Sequence, residues 1–356
     1  MASLLDGKRI VVTGGTGSLG KTLVKRFLSG EHGTPKTVVV FSRDEAKQHD
    51  MRMEYLQRRV ATEDVTYHNF ERTLQFVIGD IRDFHAVAQV LVNADIVINA
   101  AALKQVPSSE YFPYEAVRTN IEGAENIVRA ITELRLPVET ILGVSTDKAC
   151  KPTTTMGMTK AVQERIFLSA NLRCPATRFI VVRYGNVLAS RGSVIPLFID
   201  QIQNGGPVTI TDPRMTRFLL TLEQAVDTVI VALSDSKRGE ILIPRIPAAL
   251  ITDIAKTLIA DEPCMQKVIG LRPGEKLHET LVSDEEAPRT VKRGDYFAVL
   301  SFLPEISPTD PLTPALVGEL SSESFVMSYK QTAELLEKNG LSISNSANAR
   351  SNELLR

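Results

Sequence analysis

The sequence predicts an α/β fold built on a doubly wound parallel sheet, and three observations predict it. Short β-branched runs recur through the first half of the chain, at Arg9–Thr13, Thr37–Phe41, Leu74–Ile78, Ile96–Ala102, Thr140–Val144 and Phe179–Tyr184. They alternate with helical patterns, the spacing of parallel strands joined by helical crossovers. The first run stops at Gly14-Gly15-Thr16-Gly17-Ser18-Leu19-Gly20 and passes directly into a helical pattern with Leu23, Phe27 and Leu28 on one face. At the carboxyl end of the fifth run stand a hydroxyl, a carboxylate and an ammonium, Thr146-Asp147-Lys148, where parallel sheets bind ligands.

The glycine segment defines the first element. Gly14 permits the tight turn, Gly17 lets backbone approach a pyrophosphate, and Gly20 allows close packing of helix on strand, as in a Rossmann-type dinucleotide site. The helix start supplies free amides and a positive dipole end for phosphates. The second strand ends in Ser42-Arg43-Asp44-Glu45. An arginine at that tip suits the 2′-phosphate of NADP, whereas Asp44 keeps NAD open, so NADP is the expected cofactor. Residues 46–60 are charged and helical, a surface amphipathic helix. The third strand leads to Asp80, which is placed either to accept from an adenine amine or to cap the next helix. After the fourth strand, with small residues Ala100, Ala101 and Ala102 where a ribose must pass, Lys104 to Glu110 reads as a loop. The helix beyond it carries Asn120, which either ties backbone together at the sheet edge or faces solvent. A helix is expected from Gly157 to about Leu168, with Lys160 one turn in.

Beyond Tyr184-Gly185-Asn186 the alternation weakens. Prolines, a short strand at Val208–Ile210, an apolar helix at about Leu222–Leu233 and dispersed Arg214, Arg217 and Arg272 suggest a smaller α/β substrate-binding lobe. Arginines converging on one cleft would bind a diphosphate. The expected division is a dinucleotide-binding domain with the catalytic residues over 1–186, the lobe with returning segments over 187–335, and a mobile tail over 336–356. With 356 residues, 43% of them hydrophobic, and a net charge of −1, nothing favours nucleic acid or an anionic membrane. Cys150, Cys174 and Cys264 lack metal-ligand spacing, no metal site is expected, and Cys150 reads as a buried small hydrophobe. No signal peptide or membrane span is read, so a cytoplasmic protein is expected.

Ten segments in order carry a resemblance. They are GGTGSLG (14–20), FSRDE (41–45), GDIRD (79–83), AALKQVP (101–107), TNIEGAENIV (119–128), STDKA (145–149), RYGNV (183–187), GSVIPLF (192–198), TDPRMTRF (211–218) and RPGEKLHE (272–279). The chain resembles the extended short-chain dehydrogenase/reductase family over about residues 5–300. Within it the chain is similar to UDP-N-acetylglucosamine 4,6-dehydratases that invert carbon 5, whose strand-end tripeptide is Thr-Asp-Lys. The family's Tyr-x-x-x-Lys here reads Met156-Gly157-Met158-Thr159-Lys160. A thioether is at best a weak acceptor and cannot replace a phenol as base. A capsule-type subgroup resembles this chain in having methionine there, which leaves Lys148 as the expected substitute, a desolvated lysine titrating near neutral pH.

The resemblance implies a UDP-sugar substrate, tightly held NADP and a homodimer or larger assembly through helices near 113–132 and 157–170. It places the cofactor against Gly14, Thr16, Gly17, Ser18, Leu19, Gly20, Ser42, Arg43, Asp80, Ile81, Ala100, Ala101, Ala102, Lys104, Asn120 and Lys160. The sugar nucleotide would meet Lys104, Asn186, Val194, Arg217, Arg272 and Glu275. Thr146, Asp147, Lys148, Met156 and Lys160 would form the catalytic centre, with Thr146 on the sugar 4-oxygen, Asp147 as acid at carbon 6 and Lys148 as base at carbon 5. A UDP-sugar 4-epimerase, a 5,6-dehydratase and, because of Met156, a non-catalytic NADP-binding regulator are the alternatives.

Overall fold

The β-branched runs become the strands of one nine-stranded sheet. The computed structural model describes residues 3–57, 70, 72–188, 190, 193–260, 262–307 and 312–341. The strands β1 (Arg9–Thr13), β2 (Thr37–Ser42), β3 (Leu74–Ile78), β4 (Ile96–Asn99), β5 (Thr140–Thr146) and β6 (Arg178–Tyr184) follow the expected segments. Their order is β6-β5-β4-β1-β2-β3, all parallel, so the chain reverses direction across the sheet between β1 and β4. Helices cover both faces. Ile98, Ile141, Leu142, Ile180 and Val182 are wholly buried between them, and continuous apolar runs are what a two-sided parallel sheet needs. The helix after β1, α1 (Ser18–Leu28), buries Leu23, Val24, Phe27 and Leu28 against this core.

The second half returns to the same sheet. Ile241–Pro244 adds a parallel strand beside β6, and Tyr296–Val299 and Thr290–Arg293 extend it antiparallel. The helix Leu222–Asp235 packs on α1, where Arg26 meets Asp227 at 3.0 Å and Glu223 at 2.6 Å. What stands apart is a smaller lobe with its own core of Ile195, Phe198, Leu219, Ile254, Leu258 and Leu336.

Several expected boundaries move, each for a local reason. The fourth strand ends at Asn99 and not at Ala102, because the Thr13 hydroxyl donates to Asn99 Oδ1 and accepts from Ala101 N, closing the ladder. The segment read as a loop contains a short helix, Val106–Tyr111, with Pro107 in its first turn. The helix of the methionine motif starts earlier and ends later than expected, Thr155–Arg173, since Thr154 caps it by accepting from Gly157 N. The charged helix spans Glu45–Gln57 and buries Gln48, Met51 and Tyr55, so only its other face is surface; residues 58–60 of the expected span lie outside the described residues. The tail does not begin at 336: the helix Tyr329–Lys338 continues past it, and Leu336 and Leu341 are buried. Residues 342–356 lie outside the described residues.

One buried ionic array fastens the carboxyl end of the sheet. Arg183, 1% exposed on β6, donates to Glu164 (3.0 and 2.7 Å), Glu286 (2.7 and 2.9 Å) and the Leu281 carbonyl (2.8 Å). Ser145 on β5 donates to the same Glu164 at 2.5 Å. Burial works against the guanidinium's charge, and the two carboxylates outweigh it. Removing the cation would leave two carboxylates uncompensated. Arg183→Met is therefore expected to lower stability by about 3–5 kcal/mol in urea unfolding. A loss below about 1 kcal/mol would show that the carboxylates are satisfied without it.

Candidate active site

A cleft of about 1760 Å³ opens between the carboxyl edge of the sheet and the smaller lobe. Its floor is the glycine turn between β1 and α1. Gly14 has φ +66°, and a Cβ there would meet the Ala101 backbone at 2.8 Å. At Gly20 a Cβ would meet the Gly15 backbone at 2.5 Å, so only glycine lets α1 start this close to the sheet. The first turn of α1 has no side-chain cap and no acidic residue, leaving its amides for an anion. Thr16, Gly17, Ser18 and Leu19 line the cleft with them.

At the tip of β2 the Ser42 hydroxyl is 3.0 Å from Thr16 Oγ1 and accepts from Asp44 N. Asp44 is ion-paired with Lys47, while the Arg43 side chain is 59% exposed on the cleft wall, its guanidinium 3.7 Å from Asp80. Asp80 lines the cleft beside Ile81, but its carboxylate is engaged by Arg82 through N (3.0 Å), Nε (2.9 Å) and Nη2 (2.6 Å). Burial raises its pKa and the Arg82 contacts outweigh that, holding it below the usual carboxylate range. The capping alternative for Asp80 is overturned, because Asp83 caps the helix Phe84–Leu91.

Ala100, Ala101, Ala102 and Lys104 form the next wall. Asn120, expected to touch cofactor, stands behind that wall instead. It sits in a π-helical turn, Val117–Glu122, where Oδ1 accepts from Leu103 N and Nδ2 donates to Leu103 O and Thr159 Oγ1. Those bonds spend its amide, so it ties the Ala102–Lys104 loop to the methionine-motif helix; the solvent-facing alternative is also overturned.

The strand-end group lies at the centre. Thr146 Oγ1 donates to Asp147 Oδ1 at 2.9 Å and accepts from Lys148 N. Lys148 Nζ is 3.0 Å from Asp147 Oδ1, 3.2 Å from Glu279 Oε1 and 3.4 Å from Asn186 Oδ1. Thr146, Lys148 and Asn186 line the cleft; Asp147 does not, being wholly buried beneath them, its Oδ2 without a hydrogen-bond partner among the described residues. The expectation that Lys148 titrates near neutral pH is overturned. Burial lowers its pKa, but Asp147 and Glu279 together outweigh burial and Arg217, and hold the ammonium above its ordinary value.

The lysine that burial does push down is Lys160, to about 8, with Glu164 acting the other way. Lys160 is among the residues lining the cleft, and its Nζ donates to two neutral oxygens, Val144 O and Gln163 Oε1. Met156, one turn earlier on the same helix, is buried at the cleft wall. Tyr184 also lines the cleft, but burial pushes its phenol up, so it is no ready base in place of the missing tyrosine.

On the lobe side Val194 opens the helix Val194–Gln203, and Arg217 is pinned by donating to the carbonyls of Thr216, Leu277 and Lys276. Arg272 lies exposed and Glu275 half-buried on one loop, and all four line the cleft. Arg214 does not join them; it pairs with Asp212 on the surface. Sequence reasoning missed Glu279, although it is the last residue of RPGEKLHE, and it missed Gln163. Among the described residues there is no cluster suited to a metal ion, and no helix is long and apolar enough to cross a membrane.

Against known proteins, the profile of the family described as polysaccharide biosynthesis protein matches residues 10–301. A UDP-glucose 4-epimerase of Rickettsia conorii is 42% identical over 297 residues, 82% of each chain, and one of Rickettsia bellii is 41% identical over 298 residues. Among solved structures, Pen from Bacillus thuringiensis superposes with a TM-score of 0.84 at 33% identity, covering 95% of this chain and 99% of that one. DesIV, a dTDP-glucose 4,6-dehydratase of Streptomyces venezuelae solved with NAD bound, has a TM-score of 0.63 at 20% identity, covers 76% of this chain and 86% of its own, and shares the fold alone. The match across most of the chain, with relatives above 40% identity, shows that this protein belongs to the polysaccharide biosynthesis protein family.

Proposed function

We propose that the protein is an NADP-dependent UDP-sugar 4,6-dehydratase that acts on UDP-N-acetylglucosamine, inverts carbon 5 and releases a 4-keto-6-deoxy sugar nucleotide. The observation that carries this reading is the Asp147–Lys148 pair at 3.0 Å, set under Thr146 at the edge of a dinucleotide cradle. An epimerase needs no acid–base pair at carbons 5 and 6; a dehydratase does.

The glycine turn, the free amides of α1 and Arg43 are the groups that would hold the dinucleotide. When bound, it supplies the hydride acceptor for carbon 4 and the donor for carbon 6. Met156 cannot take the proton of the carbon 4 hydroxyl. Lys160 is the amine suited to it, since its two hydrogen-bond acceptors are neutral and its neutral form keeps a lone pair. Once a ketone stands at carbon 4, the carbon 5 proton is acidic. Moving one proton across the 3.0 Å from Lys148 Nζ to Asp147 Oδ1 turns the ion pair into a neutral base and a neutral acid. Lys148 then removes the carbon 5 proton. Asp147 protonates the departing carbon 6 hydroxyl, and the Thr146 hydroxyl links the buried carboxyl to the cleft. Asn186, Arg217, Arg272 and Glu275 are the candidate sugar-nucleotide contacts.

A second reading, UDP-sugar 4-epimerase, is favoured by the names of the Rickettsia relatives. One incubation with UDP-N-acetylglucosamine in deuterated water, followed by mass spectrometry and proton NMR, separates the two. The expected product has lost one water, carries deuterium at carbon 5 and shows a methyl at carbon 6, and Lys148→Met abolishes it. An isomer of unchanged mass establishes the epimerase, and no reaction with either UDP-N-acetylglucosamine or UDP-glucose overturns both readings.

The NADP assignment rests on Arg43 facing the cleft while Lys47 occupies Asp44. Arg43→Glu should weaken NADP binding about tenfold or more in calorimetry and leave NAD binding little changed. An equal loss for both cofactors would remove Arg43 from 2′-phosphate recognition. A homodimer is proposed through the helices bearing exposed Tyr111, Phe112, Tyr114, Met158 and Val162. Light scattering should give a dimer or larger mass, and Val162→Glu with Met158→Glu should give a monomer.

A further inference from the structure

Glu279 is a buried carboxylate that no step above uses. It is 3% exposed, its Oε1 lies 3.2 Å from Lys148 Nζ, and its buried Oε2 has no hydrogen-bond partner among the described residues. It reaches Lys148 from the far side of the site, across the segment that leads into the strand Thr280–Val282, while Asp147 reaches it from β5. Lys148 is thus an ammonium between two carboxylates, only one of which can be the acid.

We propose that Glu279 is a positioning residue that orients Lys148 and stabilises the ammonium formed as Lys148 takes the carbon 5 proton. The inference rests on the dehydratase reading and deepens it. The logic is that of a buried carboxylate behind a general base, which fixes the base's direction and favours its protonated form without itself accepting the proton. In the elimination the C5–H bond breaks and an N–H bond forms on Lys148. The C5–H electron pair becomes the C5–C6 double bond. The C6–O bond breaks, and its pair leaves on oxygen with the Asp147 proton as water. From the neutral pair the elimination leaves Lys148 cationic and Asp147 anionic, so a fixed negative charge beside Nζ favours that step, although it opposes the earlier proton transfer from Lys148 to Asp147. The other charged groups facing this centre are Arg217, whose Nε is 4.0 Å from Glu279 Oε1, and Lys276, 3.9 Å from Oε2. Both are held elsewhere: Arg217 donates to three carbonyls and Lys276 Nζ to the Cys150 carbonyl at 2.8 Å. Neither therefore replaces Lys148 as the partner of Glu279 Oε1.

The test is Glu279→Gln in the full chain, which keeps shape and removes charge. The kcat for water loss should fall about 10²-fold while KM for the UDP-sugar changes little. The alkaline limb of kcat should move to lower pH by about one unit, because Lys148 loses an anion that raised it. Glu279→Asp, which keeps the charge, should hold the limb in place and restore part of kcat. A readout free of turnover is the pH dependence of Lys148 acetylation by acetic anhydride, followed by peptide mass spectrometry. Its midpoint should fall in Glu279→Gln and stay in Glu279→Asp, and if the glutamine variant does not fold, an acetylation midpoint shifted downward in the aspartate variant overturns the inference. Unchanged acetylation and an unmoved limb in Glu279→Gln also overturn it. A wild-type protein that dehydrates no UDP-sugar overturns the dehydratase reading instead, and the acetylation midpoints still decide whether Glu279 sets the charge of Lys148.

Discussion

The carboxyl edge of the sheet depends on one buried cation. Arg183 lies under the site with Glu164 on one side and Glu286 on the other, and Ser145 hangs from Glu164. Burying three charges is costly unless each donor and acceptor is matched, and here five guanidinium bonds match them. The array joins β5, β6, the methionine-motif helix and the Leu281–Glu286 segment, which are distant in sequence. The direction in which β5 delivers Thr146 and Lys148 to the cleft, with Asp147 buried beneath them, is fixed by that junction. A stretch of three polar residues at a strand end would otherwise be a solvated turn.

The same array explains why two lysines in one cleft behave oppositely. Glu164 is bound twice by Arg183 and once by Ser145, so little of its charge is left for Lys160, and burial prevails there. Among the described residues no arginine or serine binds Glu279 in this way. Arg217 and Lys276 stand no closer than 3.9 Å, and its charge falls on Lys148 together with that of Asp147. Environments that push two like groups apart are how one site holds both a proton donor and a proton acceptor at a single pH.

The parts of this arrangement legible in the sequence are those encoded locally. Alternating runs gave the six parallel strands, and the glycine turn gave the cradle, because steric demands at Gly14 and Gly20 are met within a few residues or by the next strand. Asp147 and Lys148 were readable as neighbours. What could not be read is which charge meets which across long separations. Lys148 and Glu279 are far apart in the chain, as are Arg183 and Glu286, and Arg183 sits in a run, FIVVRY, that reads only as an apolar strand with a charge near its end. The reversed tendencies of Lys148 and Lys160 follow from those pairings. Asn120, which the resemblance places at the cofactor, likewise spends its amide on Leu103 and Thr159, pairings no local pattern encodes.

Met156 now takes a different weight. A phenol at that position works because a nearby lysine lowers its pKa, so phenol and lysine act as one unit. With a thioether in its place the unit loses its acid–base atom but not its environment. Lys160 still lies one turn away, desolvated, donating to two neutral oxygens, and burial, partly offset by Glu164, brings it to about 8. Tyr184, the phenol in the same wall, moves the wrong way, since burial without a cation disfavours its ionised form. On the proposed mechanism, the first proton transfer therefore falls to this amine. Lys148 is held charged by Asp147 and Glu279, which on the dehydratase reading is the state a base reaches at the end of its step. On the dehydratase reading, the chemistry at carbon 5 and carbon 6 would thus be insulated from the methionine at 156, because the two lysines answer to different carboxylates.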